Sequence, residues 1–210
     1  MNSKTNLLTL ADGQQMPQEG FGLYKVTGQQ TISAAIDTAY QAGYRLFDTA
    51  QLYQNEAEVG QALADLRVPR EELFVTTKVA EENQGYQRTI ASVKDSLHKL
   101  QLDYVNLLMI HWPIERAFFD SWQALIDLKK AGLTKSIGVS NFQMIHLQYL
   151  ATQASELPVV NQIERHPRLN QAPLVKFDRE HGIVTQAWSP LGRGTILANP
   201  VLKQNGDHHH

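Results

Sequence analysis

The sequence predicts an α/β fold in which parallel strands alternate with helices, a (β/α)8 TIM barrel that is incomplete, with about seven βα units. Short apolar and β-branched runs recur along the 210 residues, separated by longer stretches of helical periodicity, and this alternation is typical of parallel strands joined by helices. Successive runs begin 23 to 31 residues apart. So regular a step indicates one barrel of repeated units over residues 1–204.

Seven runs supply the predicted strands. They begin near Glu19, Arg45, Phe74, Val105, Ser136, Val159 and Val184. The stretches between them have amphipathic patterns. The clearest has apolar residues at steps of three, four and three, which predicts one apolar stripe packed on the sheet. Its residues are Ile90, Val93, Leu97 and Leu100.

A β-hairpin is predicted before the first strand of the barrel. Leu8 and Leu10 precede Asp12-Gly13, a pair that favours a tight turn, and Met16 follows. We expect this hairpin to lie across the bottom of the barrel as a plug.

A doubly wound sheet has the same alternation and is the alternative fold. Such a sheet usually carries a glycine-rich turn after its first strand when it binds a dinucleotide. Here the first strand leads into Tyr24-Lys25-Val26-Thr27-Gly28, which lacks that pattern. Polar residues stand instead at the C-terminal ends of several strands, as a barrel requires.

The composition narrows the class of partner. A formal net charge of −2 gives no electrostatic reason to expect nucleic acid or a membrane, so we expect a small-molecule substrate. The absence of cysteine excludes disulfides and thiolate chemistry and suits the cytoplasm. The N-terminus does not resemble a secretory signal, and residues 205–210 resemble an expression tag or graft.

Four polar side chains at the predicted strand ends form a candidate catalytic site: Asp48, Tyr53, Lys78 and His111. Taken singly, Asp48 is explained as a helix cap, Tyr53 as a packing residue and His111 as a core histidine. Lys78 is the least ordinary of the four, because a lysine buried inside a sheet is costly unless it is paired.

Together the four side chains fit carbonyl reduction, which needs a hydride donor and a proton donor at the oxygen. A phenol has an unperturbed pKa of about 10, which makes it a weak acid near neutrality. We expect Lys78 to lower the pKa of Tyr53, and Asp48 to keep Lys78 charged. His111, if neutral, can donate an N–H to the carbonyl oxygen.

Six segments resemble, in order and spacing, the motifs of the aldo-keto reductase family, above all the bacterial 2,5-diketo-gluconate reductases: FDTAQLYQNE, TTKV, LLMIHWP, SIGVSNF, NQIERHP and AWSPLGRG. The resemblance covers residues 8–204. It implies that the four side chains form the family's catalytic tetrad, with Tyr53 as the general acid. It also implies reduction of small aldehydes and ketones, among them keto-sugars and dicarbonyls, with NADP(H) and with NAD(H) not excluded.

The resemblance implies a cofactor site as well. Ser140, Asn141 and Gln162 match the positions that hydrogen-bond the nicotinamide carboxamide, and Trp188 matches the aromatic residue that stacks on the ring. Without the tetrad, Ser140 and Asn141 are explained as helix caps, Gln162 as an interior polar residue and Trp188 as core.

Two further groups of residues are implied by the resemblance. Ser189, Leu191 and Gly192 lie in a loop similar to the family's pyrophosphate-binding loop. Tyr24 and Trp112 resemble aromatic residues that line the substrate pocket.

The end of the chain departs from the family pattern. After residues 197–204, interpreted as the start of a seventh helix, we expect an eighth strand, a final helix and a tail, which are absent from the sequence. In the family that segment binds the adenosine half of the cofactor, so the choice between NADPH and NADH stays open.

Seven strands leave two sheet edges, so we expect poor solubility and weak NADPH binding. A complete protein of this type is expected to be a monomer.

Two other functions stay open. One is a barrel that binds a nucleotide and acts as a regulatory or interaction module. The other is a barrel aldolase in which Lys78 forms a Schiff base. Metal chemistry is disfavoured, and no metal ligands are assigned, because the histidines show no paired ligand spacing.

Overall fold

The computed structural model describes residues 6–209. The strands are β1 (Leu7–Thr9), β2 (Gln15–Pro17), β3 (Gly20–Gly22), β4 (Leu46–Asp48), β5 (Phe74–Val79), β6 (Val105–Ile110), β7 (Thr134–Ser140), β8 (Val160–Glu164) and β9 (Val184–Trp188). The helices are α1 (Gln29–Gln41), α2 (Glu56–Asp65), α3 (Tyr86–Leu100), α4 (Phe118–Lys130), α5 (Met144–Gln153), α6 (Ala172–Glu180) and α7 (Pro200–His209). Short 3-10 helices lie at Gln51–Tyr53, Arg70–Glu72, Glu81–Asn83 and Gly192–Gly194.

The strands β3 to β9 form one parallel sheet in which each strand pairs with the next in the sequence. Helices α1 to α6 provide the crossovers that parallel pairing needs. The seven predicted strands are confirmed, and their observed starts lie within two residues of the predicted ones. In the part of the chain that the structure describes, β3 and β9 each pair with one neighbour. The fold is therefore an incomplete (β/α)8 barrel.

The strand β5 shows how the sheet separates its two faces. Phe74 packs in an apolar cluster at the barrel interior, whereas Val75 and Val79 pack in the larger cluster between sheet and helices. Because side chains alternate along a strand, Lys78 lies on the same face as Phe74, four residues further on. The end of β5 thus delivers a lysine to the interior of the barrel.

Helix α3 confirms the predicted amphipathic stripe. Val93, Leu97 and Leu100 are buried, and Ile90 packs against the same core while partly buried. The predicted face is therefore the face that contacts the sheet and its neighbouring helices.

The hairpin also lies where the sequence predicted it. Strands β1 and β2 pair antiparallel, and Leu10 and Met16 are buried in the interior cluster that contains Phe74. The hydroxyl of Ser136, near the start of β7, donates to Oδ2 of Asp12 at 2.8 Å. The hairpin therefore covers the N-terminal ends of the strands.

The last helix differs slightly from the prediction. It begins at Pro200, three residues later than expected, and continues to His209, through most of the segment that the sequence analysis set aside. Across residues 6–209, the structure contains no helix with the length and apolar character needed to cross a membrane.

Candidate active site

The four predicted catalytic residues meet at the C-terminal ends of neighbouring strands. Asp48 is the last residue of β4, Lys78 lies near the end of β5 and His111 follows β6 directly. Tyr53 belongs to the 3-10 helix after β4. Parallel pairing of the three strands brings these ends to one edge of the sheet.

Lys78 connects the other members of the site. Its Nζ pairs with Oδ1 of Asp48 and lies 3.0 Å from the carbonyl oxygen of Thr49 and 3.5 Å from the hydroxyl of Tyr53. The side chain is 0 % exposed. Burial lowers the pKa of Lys78, and the Asp48 carboxylate opposes this effect. The predicted Asp48–Lys78 pair is therefore present.

These contacts argue against Lys78 as a nucleophile. An ammonium has three N–H donors, and the three neighbouring oxygens match that number. A Schiff base requires a free amine that reaches the substrate carbonyl. A fully buried lysine with these partners does not meet that requirement.

The surroundings of Tyr53 correct one prediction. We expected Lys78 to lower the pKa of Tyr53, but burial raises that pKa above its usual value, and the Asp48 carboxylate and Tyr24 add to the increase. The reason is that burial destabilises a phenolate, while the negative charge of Asp48 offsets the field of the Lys78 ammonium at the Tyr53 hydroxyl. Tyr53 therefore carries its proton at neutral pH.

His111 has the electrostatic state that the sequence analysis required. Burial, with a smaller contribution from Lys78, lowers its pKa to about 3, so the imidazole is neutral at pH 7. Its ring contacts the ring of Tyr53 edge-on, with centroids 5.6 Å apart. Within residues 6–209, its Nδ1 is buried and has no hydrogen-bond partner.

The short helix that carries Tyr53 is fixed by Gln51, which the sequence analysis missed. Oε1 of Gln51 accepts from the Ala80 amide and from Nδ2 of Asn83, each at 2.9 Å. Its Nε2 donates to Ser96 at 3.0 Å. The Gln51 side chain thus ties the helix of Tyr53 to the end of β5 and to α3.

A buried carboxyl group lies next to this contact. Glu56, the first residue of α2, accepts from Thr77 at 2.6 Å and from Ser96 at 3.1 Å. Burial raises the pKa of Glu56. Glu56 is the last residue of the segment FDTAQLYQNE. Its partners Thr77 and Ser96 lie in β5 and α3, and no sequence pattern links them to Glu56.

The residues expected around the nicotinamide carboxamide also come together. Nδ2 of Asn141 donates to the His111 carbonyl and to Oγ of Ser140, each at 3.0 Å. Its Oδ1 accepts from the indole of Trp188 at 2.9 Å. Ser140 in turn donates to the backbone carbonyl of Gln162 at 3.0 Å. Asn141 therefore links the strand ends of β6, β7 and β9, and both of its N–H groups are in use.

The side chain of Gln162 has an unexpected partner in the tetrad. Its Nε2 donates to Oδ2 of Asp48 and to Oε1 of Gln186, each at 2.8 Å. Gln186 lies opposite Gln162 in the pairing of β8 with β9. Gln186 could not be identified from the sequence, because a glutamine within a strand has no distinctive pattern.

The predicted pyrophosphate loop has unusual backbone geometry. Ser189, Gly192 and Arg193 have positive φ angles of 51°, 55° and 54°, and Leu191 is exposed. The Arg193 guanidinium lies 6.0 Å from the ring of Trp188. Arg193 is the basic residue of this loop, and no role was predicted for it from the sequence.

The two predicted substrate contacts differ in their proximity to the tetrad. Tyr24 is 51 % exposed, and its ring lies 5.1 Å from that of Tyr53. Trp112 is 42 % exposed, and its backbone carbonyl accepts from Gln84 at 2.7 Å. In the described chain, the ring of Trp112 makes no aromatic contact with the tetrad, so Tyr24 has the closer structural connection.

Sequence comparison relates the chain to a known family of enzymes. Residues 20–209 match the sequence profile of the Aldo/keto reductase family. The chain is 44 % identical over 207 residues to the glyoxal reductase of Bacillus subtilis, covering 99 % of this chain and 75 % of that protein. It is 46 % identical over 205 residues to the methylglyoxal reductase DkgA of Salmonella typhimurium, covering 96 % and 74 %.

Solved structures agree with the sequence comparison. An aldo/keto reductase from Brucella melitensis superposes with a TM-score of 0.93 at 41 % identity, covering 98 % of this chain and 79 % of that one. A Bombyx mori aldo-keto reductase in complex with NADP has a TM-score of 0.88 at 33 % identity, covering 98 % and 76 %. A putative 2,5-diketo-D-gluconic acid reductase B has a TM-score of 0.89 at 33 % identity, covering 96 % and 71 %. The chain therefore belongs to the aldo/keto reductase family of NAD(P)H-dependent oxidoreductases.

Proposed function

We propose that the protein reduces small aldehydes and ketones with NADPH, with dicarbonyls and keto-sugars as its substrate class and Tyr53 as the proton donor. The observation that carries the proposal is the hydrogen-bonded and ion-paired chain from Asp48 through Lys78 to the Tyr53 hydroxyl. The substrate class is supported by the names of two relatives, a glyoxal reductase and a methylglyoxal reductase.

The residues present fit a nicotinamide cofactor. Within the described residues, Oε1 of Gln162 accepts no hydrogen bond, so it is free to receive an N–H of the carboxamide. Oδ1 of Asn141 accepts one bond and has a second lone pair. Trp188 is half-buried, which leaves part of the indole for stacking, and Arg193 supplies a charge suited to phosphate. The bound cofactor supplies the hydride.

The chain's own residues then handle the proton and the charge. His111, which is neutral, donates an N–H to the carbonyl oxygen as negative charge grows there. Tyr53 passes its hydroxyl proton to the same oxygen, which gives the alcohol and leaves a phenolate. Nζ of Lys78 lies 3.5 Å from the hydroxyl oxygen of Tyr53 and stabilises the phenolate. Asp48 keeps Lys78 charged and oriented.

The cofactor loop and the exposed aromatics complete the proposal. Ser189, Leu191 and Gly192 are proposed to hold the pyrophosphate. Tyr24 and Trp112 are proposed to contact the substrate from the open side of Tyr53, since both rings are exposed.

The test is Tyr53→Phe, which removes the proton donor and little else. We expect the rate of NADPH oxidation with methylglyoxal to fall by about 10²- to 10⁴-fold, the usual contribution of a positioned acid. The Kd for NADPH, followed by quenching of tryptophan fluorescence, is expected to stay within about twofold.

The matched control is Tyr149→Phe, which removes an exposed hydroxyl on α5. It is expected to leave both the rate and the NADPH affinity unchanged. Turnover retained in Tyr53→Phe would exclude Tyr53 as the acid.

A further inference from the structure

We propose that Gln186 is a positioning residue for the cofactor, because it fixes the side-chain amide of Gln162 in one orientation. This inference rests on the proposed function, since it concerns how the nicotinamide carboxamide is received. Gln186 lies in β9, and the sequence motifs predicted no role for it.

The geometry begins with the two hydrogens on Nε2 of Gln162. One is donated to Oδ2 of Asp48 and the other to Oε1 of Gln186, each at 2.8 Å. If this amide rotated by half a turn, its oxygen would face the Asp48 carboxylate, which can only accept, and in the present orientation of Gln186 the second hydrogen bond would be lost as well. Asp48 therefore defines which end of the Gln162 amide is the donor, and Gln186 engages its second hydrogen and holds the plane of the amide.

The pairing of β8 with β9 holds this arrangement in place. Gln162 and Gln186 are direct partners in the register, so their side chains project from the same face of the sheet. Gln162 is buried and Gln186 is half-buried. A hydrogen bond between two such side chains is partly shielded from competing water.

With Nε2 committed, the free atom of the amide is its oxygen. Among residues 6–209, Oε1 of Gln162 accepts no hydrogen bond, and it is not a buried unpaired atom. It is therefore the acceptor left for the carboxamide N–H. One amide thus joins the carboxamide to Asp48, whose other oxygen pairs with Lys78.

The experiment compares two ligands that differ at the carboxamide. NADP⁺ has an N–H donor there, whereas its 3-acetylpyridine analogue has a methyl group and keeps the carbonyl. The wild-type chain is expected to bind NADP⁺ about 2- to 10-fold more tightly, the range of one net hydrogen bond. Both Kd values are measured by tryptophan fluorescence quenching.

Substitutions at Gln186 then test whether this preference depends on it. Gln186→Met keeps the length of the side chain and removes the acceptor, and we expect the ratio of the two Kd values to fall toward one. Gln186→Glu keeps an acceptor and is expected to restore the ratio. Gln87→Met, at an exposed position on α3, is the control and is expected to keep the wild-type ratio.

The outcomes separate the inference from the function on which it rests. A wild-type ratio in Gln186→Met overturns the inference and leaves the proposed function standing. Failure of the wild-type chain to bind either ligand overturns both. If circular dichroism shows that Gln186→Met is unfolded, Gln186→Val, which suits a strand, replaces it with the same expected loss of preference.

Discussion

The two ends of the barrel strands have opposite chemistry although they belong to the same segments of chain. At the N-terminal end, the hairpin and the strands bury an apolar cluster that includes Leu10, Phe74 and Leu107. At the C-terminal end, the interior holds Lys78, a buried charge, and its partner Asp48. The apolar end provides stability, and the polar end provides a reactive site at a cost in desolvation.

This difference indicates that the two ends respond differently to substitution. Changes at the apolar end are expected to reduce stability and leave the chemistry of the folded molecules intact. Changes at the polar end are expected to reduce activity, with effects on stability that depend on whether a charge is left without its partner. The following substitutions test this separation.

The largest effect is expected for Lys78→Met, which removes the charge beside Tyr53. Without it the phenolate formed during reduction is unsupported, and we expect kcat/KM for methylglyoxal to fall by about 10²-fold or more. The variant also leaves Asp48 without its ion-pair partner, which is expected to lower the free energy of unfolding by about 3–5 kcal/mol. Steady-state kinetics and urea unfolding measure the two effects.

A double variant separates the two effects of this substitution. Asp48→Asn combined with Lys78→Met removes both charges, so we expect it to recover most of the stability and none of the activity. Lys130→Met, on the exposed side of α4, is the control. Activity recovered in the double variant would contradict the assigned role of Lys78.

An intermediate effect is expected for Leu107→Ala at the apolar end. The side chain is fully buried, and its truncation leaves a cavity, so the free energy of unfolding is expected to fall by about 2–5 kcal/mol. Among folded molecules kcat/KM should stay within about twofold of wild type. A large loss of kcat/KM in fully folded Leu107→Ala would show that packing at the apolar end affects the chemistry at the polar end.

The smallest effect is the pH dependence contributed by His111. Its pKa is about 3 in the folded chain and about 6.5 when unfolded, so below pH 6.5 the unfolded chain binds a proton that the folded chain does not. Stability is therefore lost as the pH falls from 6.5 towards 3, by about 2 kcal/mol between pH 7 and pH 5. His111→Asn is expected to remove this part of the dependence.

The comparison with wild type is needed because two other buried groups act in the opposite direction. Burial raises the pKa of Glu56 and of Asp178, so the folded chain takes up their protons first and gains stability as the pH falls. Urea unfolding at pH 7 and pH 5 isolates the His111 contribution as the difference between the two proteins. Equal pH dependences would contradict the low pKa of His111.

The sequence predicted those features that depend on position along a strand. The strand starts and the meeting of Asp48, Lys78 and Tyr53 follow from the repeated βα step, because parallel strands end at one edge. Contacts between strands were not predictable in the same way. Whether Gln186 reaches Gln162 depends on the register of β8 with β9, and Gln51 meets Ala80 only after the chain has folded. The pKa of Tyr53 depended on burial, which the residue types alone did not reveal.

The alternation within β5 has a consequence for inactivation. Thr77 bonds to Glu56 on the helix side of the sheet, while its neighbour Lys78 bonds to Asp48 on the interior side. A slip of β5 by a single residue would exchange these directions and turn the ammonium towards α2. Because β5 is fully buried and paired on both sides, such a slip requires unfolding of the sheet, so loss of turnover on heating should coincide with loss of helical signal.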